Sequence, residues 1–70
     1  MSLLLLLVTV SAADLYEVLE LNPEASEHDI KKAFRKLSIL YHPDKNPGDK
    51  SAHQRYLDVN RAYEILLDPE

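Results

Sequence analysis

Apolar residues recur along this chain in three helical patterns, separated by two breaks that contain proline. In the first pattern Leu15, Val18 and Leu19 share one face, with Tyr16 beside it. Asp14 precedes them as an N-cap candidate, and Asn22-Pro23 closes the element because a residue before proline avoids the helical region. A short helix over about 14–20 is expected. The second pattern opens at Ser26, an N-cap candidate, with Asp29 placed as the acid of a capping box. Advancing 100° per residue puts Ile30, Phe34, Leu37 and Tyr41 within about 40° of their mean direction, flanked by Ala33 and Leu40. This helix is expected over about 27–41. The third pattern follows the turn Asn46-Pro47-Gly48 and is expected over about 50–67, ending at Asp68-Pro69. Asp49 is one cap candidate, and Ser51 with Gln54 as a capping box is the other. Ala52, Tyr56, Val59, Tyr63 and Leu66 alternate at spacings of four and three, a seam suited to packing along the second helix. Leu57 and Ile65 lie off that seam and are left for the first helix or a continuation of the chain. The loop of about eight residues favours an antiparallel pair. The fold class expected is therefore all-α, a helical hairpin with a short N-terminal helix.

Size and composition narrow the picture. Seventy residues make one domain with a small core. The absence of cysteine excludes disulfides and cysteine-based metal sites, and the single glycine argues against a Gly-rich phosphate loop. The net charge of −4 gives no overall drive toward nucleic acid or an anionic membrane, so electrostatic recognition must come from local segregation. The second helix supplies it. Lys31, Lys32, Arg35 and Lys36 spread over the side opposite the apolar face, with His28 and Ile39 near the centre of that side. A basic surface with an apolar residue in its middle suits an acidic partner patch. No interleaved aromatics offer base stacking.

Before the first pattern, Leu3 to Val10 form an apolar run broken only by Thr9, followed by Ser11, Ala12 and Ala13. The run is too short to span a bilayer as a helix. Residues 1–13 resemble a secretory leader cleaved after Ala13, although no Lys or Arg precedes the run. The other readings are a buried N-terminal element or a cloning-derived tail.

The stretch Tyr41-His42-Pro43-Asp44-Lys45-Asn46-Pro47-Gly48 joins the second and third patterns. Pro43 ends the helix and fixes its own φ, which limits how His42 and Asp44 can swing. A histidine just past a helix C-terminus interacts well with the dipole when protonated, and an exposed aspartate suits a partner arginine. Catalysis would need a third activated group, but there is no cysteine and Ser38 lies a full turn back inside the helix. Metal binding would need further ligands, while His28 is far along the helix and His53 lies past the turn. The loop is read as a recognition device beside a basic helix, with no cofactor or metal and no enzymatic activity of its own.

At these residues the chain resembles the J domain of DnaJ-type co-chaperones. The matching blocks are Asp14-Leu15-Tyr16-Glu17-Val18-Leu19, Ile30-Lys31-Lys32-Ala33-Phe34-Arg35-Lys36-Leu37, Tyr41-His42-Pro43-Asp44-Lys45-Asn46, Ala62-Tyr63-Glu64-Ile65-Leu66 and Asp68-Pro69. The resemblance covers 14–70 and implies a module that binds a heat-shock 70 kDa-type chaperone and stimulates its ATP hydrolysis. It assigns partner contact to His42, Pro43 and Asp44, supported by Lys31, Lys32, Arg35 and Lys36, with Asn46 at a commonly functional position nearby. Phe34, Leu37, Tyr56 and Tyr63 would be core. The fourth helix that usually follows is cut off at Glu70, client-binding regions lie outside this chain, and the isolated domain is expected to be monomeric. The leader and the run from Lys45 to His53 look most like members of the endoplasmic reticulum lumen, which would make the partner BiP-like; the alternative compartment is the cytoplasm. The alternative function is a helical-hairpin binder of nucleic acid or of an acidic partner, using the basic face.

Overall fold

The computed structural model describes residues 11–67. The apolar run and the Asp68-Pro69 stop fall outside the described residues, as does anything beyond them. Three helices are present, α1 (Ala12–Val18), α2 (Glu27–Leu40) and α3 (Lys50–Leu66), with a 3-10 turn over Pro43–Lys45 between α2 and α3. Among the described residues there is no strand.

The cap of α1 differs from expectation. Ser11, not Asp14, is the N-cap, its hydroxyl oxygen accepting from the Asp14 N–H at 3.3 Å. Ala12 and Ala13 are strong helix formers, so the helix starts two residues early and Asp14 becomes a first-turn acid that favours the dipole. At the other end Leu19 is the C-cap and Glu20 adopts φ 61°. The Glu20 N–H reaches the Glu17 carbonyl at 2.9 Å and the Leu21 N–H reaches the Tyr16 carbonyl at 2.9 Å. This is a Schellman closure with glutamate where glycine is usual, at a cost of about 1–2 kcal/mol for the left-handed backbone.

The other caps follow the chain's own chemistry. Ser26 and Asp29 form a reciprocal capping box, at 3.1 Å from the Asp29 N–H and 3.2 Å from the Ser26 N–H. Asp49 caps α3 by accepting from the Ala52 N–H at 3.1 Å. The competing Ser51/Gln54 box does not form. Ser51 instead donates to Asp49 at 3.1 Å, and Gln54 donates to Asp58 one turn on.

The α2–α3 pair is antiparallel. Phe34 stacks on Tyr63 with ring centroids 3.9 Å apart, while Tyr41, just past the end of α2, meets Arg55, near the start of α3. Leu15 and Leu19 of α1, Ile30 and Leu37 of α2, and Val59 and Ala62 of α3 make one buried cluster. The seam residues of α3 are all buried or half-buried. Ala62 joins them because α1 packs on the flank of α3 beside the α2 contact.

Leu57 and Ile65 are 57% and 50% exposed, so they do not pack on α1. α1 meets α3 through Leu15 and Leu19 beside Val59 and Ala62, and Leu57 lies off that arc. Leu40, expected to flank the apolar face, is 53% exposed. It sits at the margin of the α2 arc, where the chain already turns away from α3.

Truncation at the two kinds of leucine should separate them. Leu37→Ala empties a fully enclosed site and is expected to cost about 2–5 kcal/mol. Leu57→Ala is expected to cost under about 0.5 kcal/mol. Urea unfolding followed by circular dichroism measures both.

Candidate functional site

The site begins where α2 stops. Tyr41 is its C-cap, with its N–H on the Leu37 carbonyl at 2.9 Å. Pro43 pushes His42 to extended backbone, φ −58° and ψ 136°, and then supplies the first residue of the 3-10 turn. The His42 carbonyl accepts from the Lys45 N–H at 3.0 Å, and the Pro43 carbonyl from the Asn46 N–H at 3.2 Å.

His42 caps this turn with its own ring. Its Nδ1 accepts from the Asp44 N–H at 3.1 Å, so the ring proton sits on Nε2. The same Nδ1 lies 3.8 Å from an Asp44 carboxylate oxygen. An ion pair there would need a proton on Nδ1 facing the backbone N–H, so the shorter, directed bond decides the tautomer. In the structure the Nδ1 atom serves as the acceptor that caps the turn. The Asp44 side chain is 92% exposed. Its backbone is held, while its carboxylate is open to a partner.

Asn46 closes the loop from inside. Its side-chain amide donates to the Leu40 carbonyl at 3.0 Å and to the His42 carbonyl at 2.9 Å, satisfying an α2 terminal acceptor and fixing the start of the triplet. Its own carbonyl accepts from the Asp49 N–H and from His53 Nε2, both at 3.1 Å. The first of these bonds closes a turn with Pro47 and Gly48 at its centre. Gly48 has φ 78°, the left-handed value that a type II turn requires there.

Three α3 side chains brace the loop that the sequence alone left unconnected to it. His53 holds Asn46, as above. Tyr56 meets the His42 ring edge-on, centroids 5.3 Å apart at 69°. The Arg55 guanidinium lies 4.8 Å over the Tyr41 ring and 3.3 Å from the Glu20 carboxylate. Their signal was present: in an antiparallel hairpin the first turns of α3 must lie beside the last turn of α2.

The basic residues Lys31, Lys32, Arg35 and Lys36 are all exposed on α2. Lys31 pairs with Glu27 at 3.5 Å across one turn. Lys32, Arg35 and Lys36 make no ion pair among the described residues. At 1.5 Å per residue this face starts about 9 Å before His42 and extends to about 16 Å. Ile39, 54% exposed, and Leu40 lie between it and the loop. The Ser38 hydroxyl oxygen is buried without a hydrogen-bond partner, so no base touches it. Among the described residues no three His, Asp or Glu side chains gather closely enough to hold a metal ion.

The sequence profile described as the DnaJ domain matches residues 14–70. The chain belongs to the DnaJ domain family. It is 51% identical over 67 residues to the DnaJ-related protein SCJ1 of Saccharomyces cerevisiae, covering 96% of this chain and 18% of that relative. It is 54% identical over 57 residues to the chaperone protein DnaJ of Clostridium kluyveri, covering 81% of this chain and 15% of the relative. Against the chaperone protein DnaJ of Treponema denticola it is 57% identical over 58 residues, covering 83% and 15%. The chain thus spans less than a fifth of the length of these relatives.

Two outcomes test how this DnaJ domain holds its loop. Asn46→Asp keeps the size but loses both amide donors, and is expected to cost about 1–2 kcal/mol in urea unfolding. Hydrogen bonds from the Ala52 N–H and the Ser51 hydroxyl hold the Asp49 carboxyl below its ordinary value of 3.8. Its contribution to stability is therefore complete above that value and is lost as the pH falls through the lower folded one. Asp49→Asn should flatten the acid limb of the stability–pH curve between those values, measured by thermal unfolding across pH.

Proposed function

We propose that this domain binds a heat-shock 70 kDa-type chaperone and stimulates its ATP hydrolysis through His42-Pro43-Asp44, itself hydrolysing nothing. One observation carries the reading: the Asp44 N–H is held by the His42 ring inside the 3-10 turn while its side chain is 92% exposed. A carboxylate held in place yet unused by its own fold is arranged for a cation on another molecule. Lys32, Arg35 and Lys36, which make no ion pair among the described residues, supply with Lys31 the docking surface for an acidic patch. Membership of the DnaJ domain family supports the partner class. The same Asp44 carboxylate would repel a phosphate backbone, and no feature of the site favours nucleic acid. Client binding belongs to regions outside this chain.

The compartment proposed is the endoplasmic reticulum lumen, with a BiP-like partner. A match of 67 residues in a chain of 70 leaves out three, so the likeness to the yeast relative takes in most of the apolar leader. That supports a leader native to the protein over a cloning-derived tail. Cleavage after Ala13 would remove the Ser11 cap and the first two residues of α1, leaving Asp14 at the new end.

Steady-state ATP turnover of a purified heat-shock 70 kDa-type chaperone tests the function. Asp44→Asn leaves every observed contact of the fold in place, and should reduce stimulation about tenfold or more. The half-maximal domain concentration should rise as salt screens the basic face. Full stimulation by Asp44→Asn, or an affinity indifferent to salt, would contradict the proposal.

A further inference from the structure

Two consecutive residues of α3 grip two consecutive residues at the entrance to the loop. Arg55 lies over the Tyr41 ring and Tyr56 meets the His42 ring. Arg55 is held in turn by Glu20, which sits at the end of α1 rather than in the hairpin. Glu20 is also the one described non-glycine residue with positive φ, at 61°. Glycine would close α1 there without strain, so the side chain stands against the backbone's preference. Strain of this kind points to a role for the side chain that bears it. The pair is half-exposed, 42% for Arg55 and 54% for Glu20, so little overall stability rests on it. What it does is tie one nitrogen of the guanidinium that covers Tyr41.

The geometry points to Glu20 and Arg55 as positioning residues for the His42-Pro43-Asp44 loop: the Glu20 carboxylate orients Arg55, and Arg55 fixes Tyr41, the residue that launches the triplet. This rests on the function proposed above and deepens it. The basic face lies on α2 away from Glu20, so docking and triggering should separate. Losing the pair lets the loop wander while Lys32, Arg35 and Lys36 still dock.

The test is the stimulated ATP turnover of a heat-shock 70 kDa-type chaperone, titrated with wild-type domain, Glu20→Gly, Arg55→Met, Arg55→Lys and Asp44→Asn, each with its thermal midpoint. Glu20→Gly should keep or raise the midpoint, because glycine suits the left-handed backbone. Its maximal stimulation should nonetheless fall about two- to fivefold, with the half-maximal concentration unchanged within about twofold. Arg55→Met should fall at least as far, and Arg55→Lys, which keeps a cation, should fall less. Wild-type maximal stimulation by Glu20→Gly and Arg55→Met, with Asp44→Asn inactive, would overturn the positioning role alone. A loss confined to the half-maximal concentration would overturn it too. Failure of the wild-type domain itself to stimulate would overturn the proposed function, and the positioning role with it.

Discussion

The Phe34 and Tyr63 rings lie almost parallel, 16° from coplanar and 3.9 Å apart, in the middle of the α2–α3 interface. Leu37 and Val59, at 2% and 0% exposure, seal the same core. Together they set the register of the hairpin, and the register decides which α3 residues face the loop. With it fixed, His53, Arg55 and Tyr56 arrive at Asn46, Tyr41 and His42 without further specification. Sliding α3 by one turn would move it about 5 Å and leave all three loop residues unbraced.

Within that frame the loop is held from two directions. Pro43 restricts the backbone covalently, and the His42 ring and the Asn46 amide then satisfy the N–H and carbonyl groups that a helix end leaves open. Very little of this uses Asp44's carboxylate. The division of labour is physical: internal bonds take the backbone, the ring nitrogen and the asparagine, and leave one anionic group exposed. The exposed basic side of α2 adds a positive field of longer range, which salt screens.

Much of this was legible in the chain. The Ser26/Asp29 box, the α3 seam and the antiparallel hairpin follow from local chemistry and periodicity, which need no knowledge of distant residues. The α1 cap did not, because Ser11 and Asp14 are both competent acceptors and only the helix-forming Ala12 and Ala13 tip the balance to the earlier one. Of the two places open to Leu57 and Ile65, the structure removes only the first helix: periodicity says they are off the seam, but not where α1 lies. Likewise the triplet was readable as a helix stop with a donor and an acceptor. That His42 would accept through Nδ1, and that Arg55 and Tyr56 would brace it from α3, depends on the packing angle and register of two helices.

The central claim is that the loop is ordered in the free domain before any partner binds. Amide ¹⁵N relaxation measures this directly. Order parameters for His42, Asp44, Lys45 and Asn46 should match those of α2, about 0.85 on the scale of a rigid backbone. Values below about 0.6 at these residues, with α2 remaining rigid, would contradict it.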